Sequence, residues 1–302
     1  MNSPFASLPS LLLAPLPALL LAACALPPSL RSTTPGGVPI DTRHVSENQD
    51  SRVLFVVIHY TVADMASSIR ILTRPEHQVS AHYLVSDDAE PVIYRLVAED
   101  RRAWHSGPST WRGHAMLNAS SIGIEIVHPG FRLRADGTRE YLPFPPAQID
   151  AVLALVKDIV KRHEIRPERI VGHADVLPQN KEDPGPTFPW KRFADEGLIP
   201  WPDAARVALQ RPLFEQQLPD VAWFQDKLSQ HGYAVPRSSL LDAATRRVLS
   251  AFQMRYRPAN HDGTPDAETA ALLHVLVTPP LTPPVTAPLT PVQTPPEAMK
   301  AP

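Results

Sequence analysis

From residue 53 the chain reads Val-Leu-Phe-Val-Val-Ile without a polar interruption, a run that suits a strand covered on both faces and that delivers His59 at its end. Residues 65–72 predict a short helix. Residues 80–85 and 92–97 alternate like strands around an acidic turn. In residues 118–127, alternation sets Ile122, Ile124 and Ile126 on one face and Gly123, Glu125 and Val127 on the other, which places a carboxylate in an apolar strand. Behind Pro146, the positions Ile149, Val152, Leu153, Val156, Ile159 and Val160 recur at helical spacing, and a short apolar strand, residues 169–172, then ends at His173. After His173 the chain carries Pro178, Pro184, Pro186 and Pro189, which remove amide donors and fix φ, so it is expected to be a stiff loop and not a helix. Strands alternating with helices predict an α/β domain over residues 51–205, with a mixed central sheet, flanking helices and its site at the strand ends.

The last third follows another pattern. Val221, Phe224 and Leu228 mark one short helix. Asp242 can cap a second bearing Thr245, Val248, Leu249, Phe252 and Tyr256, and Asp266 a third bearing Leu273 and Leu276. A small all-α three-helix domain over residues 213–277 is therefore expected, joined by a connector that runs through Pro212. Proline and threonine from residue 278 onward predict a disordered tail, residues 278–302. At the other end, residues 1–23 form an apolar block of export-signal length, too short and proline-broken to span a membrane, and residues 24–50 read as a polar tether. The chain's 302 residues accommodate two domains, and a net charge of −2 gives no basic footprint for nucleic acid.

Several residues carry candidate chemistry. His173, Lys181 and Asp183 can converge within the stiff loop, although a solvated surface loop has the same composition. His59 taken alone would be an ordinary histidine at a strand end. Glu125 stands out, because a buried carboxylate is costly unless it is paired or used. Cys24 is the only cysteine and has no disulfide partner. His82, set in a strand pattern, reads as structural.

The run from Gly172 to Trp190, Gly-His-Ala-Asp-Val-Leu-Pro-Gln-Asn-Lys-Glu-Asp-Pro-Gly-Pro-Thr-Phe-Pro-Trp, resembles the signature of the zinc-dependent N-acetylmuramoyl-L-alanine amidases of the amidase-2 family, which cleave bacterial peptidoglycan. Val-Val-Ile-His-Tyr-Thr around His59 is similar to that family's opening motif, and Ser-Ile-Gly-Ile-Glu to its catalytic segment. The resemblance implies an amidase-2, peptidoglycan-recognition-like fold, with Zn2+ held by His59, His173 and Asp183. It implies Glu125 and Lys181 as catalytic groups, and Trp104, His105 and Asn118 as substrate-binding ones. The bond it implies is the amide between N-acetylmuramic acid and L-alanine. Non-catalytic receptors on this fold typically lack a zinc ligand, whereas a zinc peptidase cutting inside the stem peptide would differ in its products.

Residues 220–269 resemble the type 1 peptidoglycan-binding domain, a module expected to raise the local concentration of enzyme at the wall and to supply no metal ligand. Leu-Ala-Ala-Cys24 resembles a bacterial lipobox. That similarity implies a lipid on Cys24 and, because Ala25 is not aspartate, an outer-membrane lipoprotein facing the periplasm of a Gram-negative cell.

Overall fold

The computed structural model describes residues 31–279, so the export signal, Cys24 and the tail beyond residue 279 lie outside the described residues. The N-terminal unit ends at Asp50. Within it, Arg31–Thr33 pairs antiparallel with Pro39–Asp41, and Arg43 closes an exposed ion pair on Asp41 at 2.6 Å.

From Ser51 onward the chain forms one unit built on a five-stranded sheet. Its strands are β1 (Phe55–Tyr60), β2 (Tyr83–Val85), β3 (Ile93–Arg95), β4 (Ser121–Ile126) and β5 (Ile170–Gly172), in the order β5-β1-β4-β2-β3. All neighbours are parallel except β2 and β3, which makes the sheet mixed. The helices are α1 (Met65–Thr73), α2 (Pro146–His163), α3 (His173–Val176), α4 (Trp190–Asp195), α5 (Ala204–Gln216), α6 (Val221–His231), α7 (Ala243–Tyr256) and α8 (Ala267–Val277).

Every residue of β1 is buried, and two core clusters, one on each face of the strand, explain why. Val56 and Ile58 join Ile122, Ile124, Ile126 and the α2 side chains Ile149, Val152, Val156 and Ile159 in one cluster. Phe55 and Val57, on alternate positions, join Val171, Ala174 and Val176 in a second cluster that runs on through Phe224, Leu228, Val248, Leu249, Phe252 and Leu273 of the C-terminal helices. One face of the sheet is thus packed by α2 and the other is continuous with the C-terminal core, so the unbroken apolar run in the sequence has a partner on each side.

Asp203, Asp220, Asp242 and Asp266 each accept the backbone N–H three residues on, at 2.7–2.9 Å, and so start α5 to α8. Two expectations are corrected. A turn of helix, α3, does follow β5, because Pro178 lies just beyond its end and leaves residues 173–176 free to coil. The connector through Pro212 is helical as well: α5 carries this proline in its interior, and Phe214 anchors that end of the helix against Trp223 and His274 with ring centroids 5.4 and 5.9 Å away.

Candidate active site

The parallel register brings the chemistry together. His59 on β1 lies opposite Glu125 on β4, so both project from the same face, and Gly172 on β5 pairs with Ile58, which sets His173 one step further along the adjacent edge. Three neighbouring strand ends therefore present His173, His59 and Glu125 side by side.

The loop then folds back over them. Asp183 O accepts the Ala174 N–H at 2.8 Å, and Gly172 permits that approach, since a Cβ there would stand 2.6 Å from Pro184 Cδ. Glu182 points away from the reaction pocket and is clamped by Tyr60 Oη at 3.4 Å, Tyr141 Oη at 3.3 Å and an ion pair with Arg139. Its neighbours Lys181 and Asp183 both line the pocket.

His59 Nδ1, His173 Nδ1 and Asp183 Oδ2 form a near-equilateral triangle with edges of 3.0, 3.0 and 3.1 Å. Burial, followed by the neighbouring His173, pushes His59 down to about 4. Burial alone would raise Asp183, yet the imidazoles of His173 and His59 hold its carboxyl well below the usual range. Neutral imidazoles and an ionised carboxylate are the ligating forms. Three atoms that converge with more lone pairs than hydrogens fit a divalent cation, and this donor set suits a site that keeps an open position.

Next to the triangle, Glu125 Oε2 is buried without a hydrogen-bond partner, as is His173 Nε2. Such orphaned atoms are uncommon in a finished core and mark where something else binds or reacts. Burial first, and then the charge of Asp183, raise Glu125 to about 8 against the opposing pull of Lys181. A cavity of about 260 Å³ opens in front of these groups, walled by Val62, Ile71, Leu72 and Val79.

Trp104 lines this cavity and is half exposed, and His105 lines it from below. Burial and the adjacent His59 and His82 hold His105 well below its ordinary value. His105 Nδ1 lies 3.0 Å from His59 Nε2, and its Nε2 lies 3.1 Å from Ser121 Oγ. Gly123 makes room for the ring, because a Cβ there would fall 2.4 Å from His105 Cγ. Asn118 does not line the cavity; its Oδ1 accepts the N–H groups of His105 and Ser106 at 3.1 and 2.7 Å. His82 is structural, accepting the Gly123 N–H at 3.0 Å. Sequence reasoning passed over Tyr60 and Glu182, although both adjoin predicted ligands, and over Asp175, whose partners lie far along the chain.

Residues 49–186 match the N-acetylmuramoyl-L-alanine amidase family, and residues 217–273 match a peptidoglycan binding domain. The chain is 42% identical over 266 residues to N-acetylmuramoyl-L-alanine amidase AmiD of Escherichia coli, covering 86% of this chain and 94% of that one. Its structure is similar to that of E. coli AmiD in complex with the substrate anhydro-N-acetylmuramic acid-L-Ala-D-γ-Glu-L-Lys, with a TM-score of 0.72, 41% identity, and coverage of 81% and 96%. A second similar structure is AmpDh3 of Pseudomonas aeruginosa in complex with anhydromuramic pentapeptide, at a TM-score of 0.71, 38% identity, and coverage of 78% and 95%.

Proposed function

The chain belongs to the N-acetylmuramoyl-L-alanine amidase family, and from that premise we propose that it hydrolyses the muramoyl-L-alanine amide of peptidoglycan with a zinc ion held by His59, His173 and Asp183. The observation that carries the reading is the triangle of ligating atoms beside the unpartnered Glu125 carboxyl. A zinc ion in that triangle supplies Lewis-acid polarisation of the scissile carbonyl and makes water acidic enough, with a pKa of about 7, to serve as the nucleophile. With the charge of a cation in the triangle favouring its carboxylate form, Glu125 would take the proton that water gives up as its oxygen bonds to the lactyl carbonyl carbon, and would return it to the alanine nitrogen as the C–N bond breaks. The Lys181 ammonium offsets the negative charge that builds on the carbonyl oxygen. Trp104 offers an aromatic wall to the substrate. His105 supports His59 from behind.

In this reading residues 51–205 carry the chemistry and residues 213–277 engage the wall. Cys24 carries the lipid of an outer-membrane lipoprotein, which keeps the enzyme in the periplasm beside its polymer. The muropeptide bound in the E. coli structure serves as the test substrate. Mass spectrometry of the digest should show peptides that begin at L-alanine with a free amine, together with a free lactyl carboxylate. Cuts inside the stem peptide would make the chain a peptidase, and an intact substrate would make it a receptor. For the anchor, Cys24→Ala should abolish acyl mass and membrane partitioning, and a variant that still fractionates with membranes would end that part of the proposal.

A further inference from the structure

Past Lys181 the reaction pocket continues into a second groove, of about 440 Å³. The two share Tyr60, Val62, Lys181 and Asp183, so a substrate seated at Glu125 can extend into the groove without leaving the surface. One wall is the tip of the proline-rich loop, at Gln179 and Asn180. The adjoining wall is helix α7, through Arg247, Ser250 and Met254. Two bonds tie the walls together: Gln179 Nε2 donates to Ala244 O at 3.1 Å, and Arg247 Nη1 donates to Gln179 O at 3.2 Å.

The charges in this groove do not cancel. Asp183 is committed to the two imidazoles, and Glu182 is paired with Arg139. Lys181 stands at the reacting carbonyl. Arg247 is left over: it is exposed, its guanidinium meets only a carbonyl, and no ion pair involves it among the described residues. The reaction pocket itself is lined by no arginine, and Lys181 is its one lysine.

We infer that Arg247 binds the free α-carboxylate of the γ-linked glutamate in the stem peptide, an inference that rests on the amidase reading above. A glutamate joined through its γ-carboxyl keeps its α-carboxylate as an anion. That anion sits one residue beyond L-alanine, and at about 3.5 Å of extended chain per residue it is carried well past the scissile bond and away from Lys181. It therefore needs a second cation, and the planar fork of a guanidinium matches a carboxylate in two parallel hydrogen bonds. The C-terminal helices would then read the peptide as well as engage the wall.

The test compares two substrates with the full-length, zinc-loaded protein. One is anhydro-N-acetylmuramoyl-L-Ala-γ-D-Glu-L-Lys, and the other carries a carboxamide in place of the glutamate α-carboxylate. Wild type should favour the acid by about tenfold in kcat/KM. Arg247→Gln should lose about that factor on the acid, leave the amide unchanged and so erase the preference, while Arg247→Lys should keep part of it. Equal rates on both substrates with wild type, or an equal slowing of both by Arg247→Gln, overturn the inference and leave the amidase reading intact. Hydrolysis of neither substrate by wild type overturns both.

Discussion

Helix α3 carries two buried ionisable side chains, His173 and Asp175, and their surroundings are opposite. His173 faces the sheet side, where a nitrogen of its own and an oxygen of Glu125 have no partner. Asp175 faces the C-terminal helices and is fully engaged: Oδ1 accepts from Tyr233 Oη at 2.6 Å, and Oδ2 accepts from the Gly172 N–H at 2.8 Å and from Arg255 Nη1 at 2.6 Å. Arg255 also donates to Ile170 O at 3.0 Å and lies over the Trp190 ring at 4.1 Å. Within one turn, one carboxylate with both oxygens bonded fixes the backbone, and a cluster with a free nitrogen and a free carboxyl oxygen is left for chemistry. The difference teaches that the C-terminal helices, expected from sequence to act as a separate wall anchor, also hold the helix that presents His173, a proposed metal ligand.

The comparison breaks most visibly under truncation. Ending the chain at residue 216 removes Tyr233, Arg255 and more than half of the second core, so the remainder should lose its native near-ultraviolet signal and its bound zinc. A truncated protein that stays folded and active on soluble muropeptides would restore the picture of an independent anchor. Next come substitutions on the open side. Glu125→Gln should keep zinc while turnover falls by about 10²- to 10⁴-fold, and Asp183→Ala should lose both. Lys181→Ala should resemble Glu125→Gln, at about 3 kcal/mol. Zinc per chain measured beside the rate separates these roles, and a Glu125→Gln protein without zinc would contradict the assignment.

On the Asp175 side, Arg255→Ala strands a buried carboxylate and should cost about 3–5 kcal/mol in urea unfolding, with part recovered when Asp175→Asn is added. A loss below about 1 kcal/mol would show that the network does not hold the two regions together.

The remaining effect is pH-dependent and vanishes near neutrality. Burial, with Arg255 and Arg112 nearby, pushes His231 from its ordinary 6.5 down to about 3. Between those values the unfolded chain binds a proton that the folded chain refuses. The contribution to stability is therefore complete above pH 6.5 and is lost as pH falls toward 3, at up to about 1.4 kcal/mol per pH unit. Urea midpoints from pH 7 to 4 should fall less steeply for His231→Gln than for wild type, and parallel curves would remove His231 from the account.

What the sequence revealed and concealed follows the range of each interaction. Apolar runs announced β1, β4 and α2, the spacing of Val221, Phe224 and Leu228 announced α6, and the caps Asp242 and Asp266 announced α7 and α8, because those signals lie within a few residues. His59, His173 and Asp183 were legible through motif resemblance, and the strand register then explained why positions 59 and 125 meet. The segment through Pro212 reads only as a connector, because nothing local to it shows that Phe214 packs against Trp223 and His274. The Asp175–Arg255 pair joins residues 80 positions apart. Neither member carries a local pattern that names the other. Asn118 was expected at the substrate, and its amide oxygen accepts from two backbone donors, a use that only the folded loop reveals.

The clamp on Glu182 constrains how this loop can change in length. Lys181 and Asp183 line the pocket while Glu182 turns back to Tyr60, Tyr141 and Arg139, so consecutive residues alternate between substrate side and scaffold. Deleting or inserting one residue just before Lys181 would offer the scaffold the wrong neighbour and turn a carboxylate meant for Arg139 toward His59 and His173. Substitutions at the loop tip are free of that restriction. Diversity in this segment should therefore accumulate through exchange of side chains at Gln179 and Asn180, with the count of residues between His173 and Asp183 held constant.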